Sequence, residues 1–262
     1  MGDQNDVPNL VLEKDEGCGV RLLVLNRPRA RNALNRALSG ALCSALRRAE
    51  EEELVRVVVI SAAAPVFCAG ADIHELRALT PGIAYEQQWL QDWPKALHSM
   101  RKPVVMAVDG VALGGGFELV LLADVVFASR KAEFGLPEVG LGTIPGAGGT
   151  VRLVEAVGKG RALSMMWSGE RMGVEEAARY GIVARVCEDD VLKESLEFAR
   201  TVAGRSVNAV RMVKDMVRAR ETEWGTRLGM EQMMYYVSFG TNEFKEGCER
   251  FVRRGKGDRG GR

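Results

Sequence analysis

Residues 111–150 constrain this chain more than any other stretch: VALGGGFELVLLADVVFASRKAEFGLPEVGLGTIPGAGGT. Gly114, Gly115 and Gly116 open an apolar run, FELVLLA, whose only carboxylate is Glu118. After a strand-like segment a second carboxylate, Glu138, stands between Pro137 and another glycine-rich loop, 140–149. Glycine lets backbone approach a ligand closely. A glycine run at a helix start also leaves N–H groups unpaired at the positive end of the dipole, where an anion or oxyanion binds. A carboxylate among Phe117, Leu119, Val120, Leu121 and Leu122 is buried on most faces and needs a partner or a chemical task. Two carboxylates beside such donors suggest acid–base chemistry on an activated carbonyl. Taken alone, a glycine triplet is more often a tight turn than a ligand loop. A phosphate cradle is excluded: no Lys-Ser or Lys-Thr follows the glycines, and 140–149 lacks dinucleotide spacing and carries Pro145.

Three blocks, FCAGADIHEL (67–76), ALGGGFEL (112–119) and FGLPEVGLGTIPGAGGT (134–150), resemble in order and spacing the signature blocks of the crotonase superfamily, the enoyl-CoA hydratase/isomerase family. The resemblance covers about residues 10–256. It implies an α/β fold: a crotonase-like spiral of ββα units over residues 1–200, carrying the CoA site and the glutamates. A C-terminal helical oligomerisation region, 201–262, follows, with a mobile basic tail from about 253. It further implies a homotrimer or a dimer of trimers.

The resemblance also assigns roles. The backbone N–H groups of Ala71 and Gly115 would hold the thioester oxygen. Glu138 would be the main acid/base, Glu118 would orient and deprotonate water, and Gly146 would contact that water. Coenzyme A would run along Ala30, Ala69, Ala71, Asp72 and Ile73, with Arg27, Arg29 and His74 near its phosphates. His74 departs from the basic residue usual there, and a neutral imidazole is a weaker phosphate partner. Asp72 is also placed to cap a helix over 73–79, and Cys68 reads as a small buried apolar residue. The implied reaction adds water across the 2,3 double bond of a 2-enoyl-CoA thioester, in fatty-acid or branched-chain amino-acid breakdown. The alternatives are a Δ3-Δ2-enoyl-CoA isomerase, although members of that kind often lack one glutamate, and a non-catalytic or RNA-binding protein of this fold. No permanently bound cofactor is expected, since coenzyme A belongs to the substrate.

Composition narrows the partners. Thirty-six basic and 35 acidic residues leave a net charge of +1, so nothing draws the whole chain to nucleic acid or an anionic membrane. Arg31, Arg36, Arg47 and Arg48 are offset by Glu50, Glu51, Glu52 and Glu53, so RNA binding is not expected. No apolar run approaches the ~18 residues of a membrane span. Five scattered cysteines and two histidines argue for reduced thiols and against a metal site. An intracellular protein follows, cytoplasmic or, if a leader is missing, of the mitochondrial matrix. Periodicity predicts strands at 10–13, 20–26, 56–61, 104–108, 125–128 and 132–135. It predicts helices at 32–52, 150–157, 160–168, 174–180, 191–203, 207–220, 223–239 and 243–252, and a helical flap at 80–99 carrying Trp89 and Trp93.

Overall fold

The structure, a computed structural model, describes residues 9–218 and 225–257, the last four by backbone alone. The acidic residues 1–8, the expected helix ends at 219–220 and 223–224, and the tail past 257 lie outside the described residues. β1 (Val11–Asp15) and β2 (Val20–Leu25) form a hairpin whose turn, Gly17 to Gly19, takes positive φ throughout. β2 continues in parallel through β3 (Val57–Ala62), β4 (Val104–Val108), β6 (Val125–Ser129) and β9 (Arg185–Cys187) to complete a six-stranded sheet. All five residues of β4 are buried, as the unbroken apolar run VVMAV requires of a strand covered on both faces. A second, three-stranded sheet joins β5 (Val111–Leu113), β7 (Glu133–Gly135) and β8 (Met172–Gly173).

The two sheets are threaded together. β4 lies in the large sheet, β5 in the small one, and α5 (Gly115–Leu121) follows. β6, β7 and α6 (Gly149–Ser168) repeat this order. Earlier turns reduce the second strand to a bridge: Cys68 pairs with Ala112 before α2 (Ile73–Leu76), and Leu34 pairs with Ala71 before α1 (Arg36–Glu51). The chain therefore winds as a ββα spiral, and each turn delivers a helix N-terminus to the same side. That is how residues 71, 115, 138 and 149 come to share one site.

Several helices differ from expectation for local reasons. α1 starts at Arg36, capped by the Asn35 side chain, because a 3-10 turn over Pro28–Ala30 and left-handed Arg31 and Asn32 occupy the preceding residues. α2 is one turn long. The flap divides into α3 (Pro81–Glu86) and α4 (Asp92–Ser99), with Gln88 and Leu90 left-handed between them. The break sends Trp93 into the main core and Trp89 into a separate cluster. α6 bends at Gly158, φ 77°, as the two predicted helices require. α7 (Val174–Arg179) precedes β9, and α8 (Val191–Ala203) covers one sheet face with Leu196, Ala199 and Ala203.

α9 (Val207–Arg218), α10 (Gly225–Ser238) and α11 (Asn242–Gly257) complete the chain. Tyr235 and Tyr236 of α10, with Phe239 and Phe244, pack on Leu76, Leu79 and Trp89. The tail expected to be mobile from 253 is helical to Gly257. Phe244 and Cys248 anchor α11, and i,i+4 pairs Glu246–Arg250 and Glu249–Arg253 extend it. Among the described residues no helix is long and apolar enough to cross a membrane.

Candidate active site

Loop 68–72 is stitched on both edges. Cys68 N donates to Val111 O at 3.1 Å and Leu113 N to Cys68 O at 2.9 Å, tying it to β5. On the other side Ala69 N donates to Arg31 O, Leu34 N to Gly70 O and Asp72 N to Leu34 O. The pattern skips the N–H of Ala71. Gly115, first residue of α5, has no helical acceptor for its own N–H. Neither amide is taken up by another group among the described residues, and Ala71 N lies 3.8 Å from where a Gly115 side chain would begin. Two neighbouring N–H donors without a protein acceptor have the chemistry to hold an oxyanion.

Close approach dictates glycine here. A Cβ on Gly116 would stand 2.4 Å from the carbonyl oxygen of Cys68, and one on Gly114, φ 51°, would stand 3.0 Å from Glu138 Oε1. Asp72 braces the Ala71 turn: Oδ1 accepts from His74 N at 3.0 Å and Oδ2 pairs with Arg27 Nη1 at 2.6 Å. Arg27 also donates to Ala33 O, and its N–H donates to buried Asn32. Arg27, expected near a phosphate, therefore commits a guanidinium nitrogen to this internal frame.

One cavity of about 70 Å3 is lined by Ala69, Ala71, Ile73, Gly115, Glu118, Glu138 and Gly146. Arg27, Arg29, Ala30, Asp72 and His74 stand outside it; Arg29 and His74 are exposed. Glu118 is 3% exposed, and its Oε1 accepts from Ala147 N at 2.7 Å and Gly149 N at 2.8 Å. Glu138 opens a 3-10 turn, Glu138–Leu141; the residue as a whole is half-buried, but its Oε2 is enclosed and accepts no hydrogen bond from the described residues.

Burial pushes the Glu118 carboxyl up to about 8; nearby Glu231 adds to the rise, and the two N–H donors and Arg152 oppose it. Burial, then the proximity of Glu118, pushes Glu138 well above the usual carboxylate range. The donors on Glu118 and their lack on Glu138 Oε2 separate the roles: Glu118 is the better anion and Glu138 the better proton carrier.

Three further residues escaped the sequence reading. Gln91, buried between α3 and α4, donates from Nε2 to Gly146 O at 2.8 Å. Tyr235 lines the cavity with its ring over Gly146. Glu231, 5% exposed, accepts from Gly148 N at 2.5 Å and Thr150 N at 2.7 Å. A usable signal for Glu231 existed: it sits among Leu228, Met230, Met233 and Met234, the same apolar setting that singled out Glu118. Nothing local marks Gln91.

The model of the enoyl-CoA hydratase/isomerase family matches residues 15–261. The mitochondrial enoyl-CoA hydratase of Pongo abelii is 38% identical over 90% of this chain and 82% of its own length. The 2,3-dehydroadipyl-CoA hydratase of Escherichia coli is 39% identical over 93% of this chain and 96% of its own. The crystal structure of an enoyl-CoA hydratase/isomerase from Pseudoalteromonas atlantica superimposes with a TM-score of 0.84 at 31% identity, covering 94% of this chain and 97% of that one. With its spiral, its paired amides and a family match spanning nearly its whole length, the chain belongs to the enoyl-CoA hydratase/isomerase family of the crotonase superfamily.

Proposed function

We propose that this protein is an enoyl-CoA hydratase, adding water across the 2,3 double bond of a 2-enoyl-CoA thioester. The observation that carries the reading is the convergence on one cavity of Glu118, Glu138 and two amides without an acceptor among the described residues. The thioester oxygen accepts hydrogen bonds from Ala71 and Gly115, which draws electron density from the conjugated double bond and makes C3 electrophilic. A water sits between the carboxylates, near the Gly146 backbone. Glu118, which Ala147 and Gly149 make the readier of the pair to ionise, takes in its ionised form a proton from this water as the water oxygen attacks C3. Glu138 delivers its proton to C2 as the enolate collapses. The pair resets when the proton on Glu118 passes to Glu138 through the next water. No reagent beyond the substrate and water enters this scheme, so no bound cofactor is required.

The cavity, about 70 Å3, has room for a water beside the reacting carbons. Crotonyl-CoA is the substrate to try first. The purified protein is expected to abolish the absorbance of its conjugated thioester and to yield 3-hydroxybutyryl-CoA. An enzyme inert on short, long and branched 2-enoyl-CoA thioesters, yet converting a 3-enoyl-CoA to the 2-enoyl isomer, would make the isomerase reading the right one.

An apolar face supports assembly. Met212, Val213, Met216 and Val217 on α9, and Met230, Met233, Met234 and Val237 on α10, are exposed. A monomer seldom leaves so many large apolar side chains of two helices in water. We place this face between subunits of a homotrimer or a dimer of trimers; light scattering of the purified protein is expected to give a multiple of three chains. The coenzyme A moiety is placed along Ala69 and Ile73, at the cavity's rim. Free thiols at all five cysteines fit a reducing intracellular compartment, cytoplasmic or mitochondrial.

A further inference from the structure

We propose that Glu231 is a positioning residue for the glutamate pair: from α10 it holds loop 146–150 in the one register that aims the Ala147 and Gly149 N–H groups at Glu118. The inference rests on the hydration reading for its kinetic test, though not for its spectroscopic one.

α6 begins at Gly149, and its N-cap is Gly148, which has no side chain to satisfy the first N–H groups. Two carboxylates from distant parts of the chain do this instead, and they alternate. Ala147 N and Gly149 N donate to Glu118 Oε1, while Gly148 N donates to Glu231 Oε1 and Thr150 N to Glu231 Oε2. Thr150 Oγ1 adds a further donor to Glu231 Oε2. Successive peptide N–H groups thus face opposite carboxylates. Rotating one peptide unit away from Glu231 turns its neighbour away from Glu118. Gln91 fixes the carbonyl of Gly146 at the loop's other end. Glu231 does not line the cavity, so it acts through the loop rather than on the substrate.

The charges around Glu118 make its titration a poor witness to the loop. Glu118 is faced by Glu138 from the 3-10 turn, Arg152 from α6, and Tyr235 and Glu231 from α10. Glu231 raises Glu118 while the Ala147 and Gly149 donors lower it, so losing the charge and losing the donors act in opposite directions. The two N–H groups themselves report the loop's register directly.

The test is Glu231→Gln in the full-length enzyme. Hydration of crotonyl-CoA is expected to lose up to about 10²-fold in kcat, the scale set by a misplacement near 1 Å, while KM stays nearly constant. Amide hydrogen exchange at Ala147 and Gly149, followed by nitrogen-15 NMR, is expected to speed up in the variant, because both N–H groups are turned from their acceptor on Glu118. Unchanged exchange at both amides, or a kcat loss no larger than the unfolded fraction, overturns the proposal. If the wild type is inert on every enoyl-CoA, the hydration reading falls, but the amide exchange still decides the role of Glu231. Should Glu231→Gln fail to fold, Thr150→Val removes one donor and keeps the charge. A several-fold loss of kcat at constant KM then supports the proposal, and a wild-type kcat overturns it.

Discussion

Glu138→Gln is expected to slow crotonyl-CoA hydration by about 10²–10⁴-fold in kcat, the range of a lost general acid or base, and Glu118→Gln by a similar factor. The double variant should be little worse than either single one, because both carboxyls act on the same water and fail as a unit. Stability should move the other way. Burial raises both carboxyls above their ordinary range, Glu118 to about 8. A group raised in the folded state favours folding while it is protonated. Its contribution is complete below the unfolded-state value of 4.5 and disappears as pH rises through about 8. Glutamine has no proton to lose. Thermal melting across that window should therefore show the glutamine variants holding their Tm as the wild type declines. Variants that lose Tm and activity together at all pH values would show a packing role for these side chains instead of a catalytic one.

Gly116→Ala is expected to cost both stability and rate. The added methyl would meet the Cys68 carbonyl oxygen at 2.4 Å and its Cβ at 2.7 Å, and neither belongs to a flexible side chain that can swing aside. Overpacking of this kind costs about 1–3 kcal/mol. At roughly 2–4 °C per kcal/mol for a domain of this size, calorimetry would register it clearly. The rate effect follows because relief requires α5 and loop 68–72 to part, and these carry the Gly115 and Ala71 amides. Loss of one oxyanion donor removes about 2.7–4 kcal/mol of transition-state stabilisation, a kcat loss of 10²–10³-fold. Gly40→Ala is the control: it is exposed on α1 with nothing within 4 Å of its Cβ. It should raise Tm slightly, as alanine does in a helix, and leave kcat alone. Equal behaviour of the two variants would mean that the contact between these loops does not set the oxyanion geometry.

What the chain reveals about this site depends on how local each signal is. Glu118 and Glu138 stood out because their neighbours in sequence are their neighbours in space: an apolar helix around one, Pro137 and glycines around the other. Gly114 and Gly116 announced close backbone approach, which a missing Cβ encodes directly. The bend at Gly158 and the whole of α8 follow from the same short-range rules, whereas the start expected for α1 at residue 32 gives way to a cap at Asn35. The pairing of Arg27 with Asp72, 45 residues apart, follows from no local rule; the sequence marks Arg27 only as a basic residue, and the spiral brings it to Asp72. Gln91 and Glu231 reach the loop at 146–150 from 55 and 83 residues away. The division of the flap at Gln88 to Leu90 is likewise a tertiary effect, since two different cores claim Trp89 and Trp93.

The span between Gly148 and Glu231 also sets a timetable. All but the last strand of each sheet, the loops bearing the Ala71 and Gly115 amides, and Glu118 and Glu138 are encoded before residue 150, and the two main cores close through contacts among residues 11–203. Loop 146–150 nonetheless waits for α10 to supply Glu231 and Tyr235. During synthesis from the N-terminus, a chain that has emerged only as far as α9 already has both sheets and its paired amides, but loop 146–150 lacks half of its anchors. Catalytic competence thus arrives as a late event in biogenesis, separate from the appearance of secondary structure. In a refolding experiment, the far-ultraviolet signal should return before the hydration activity does.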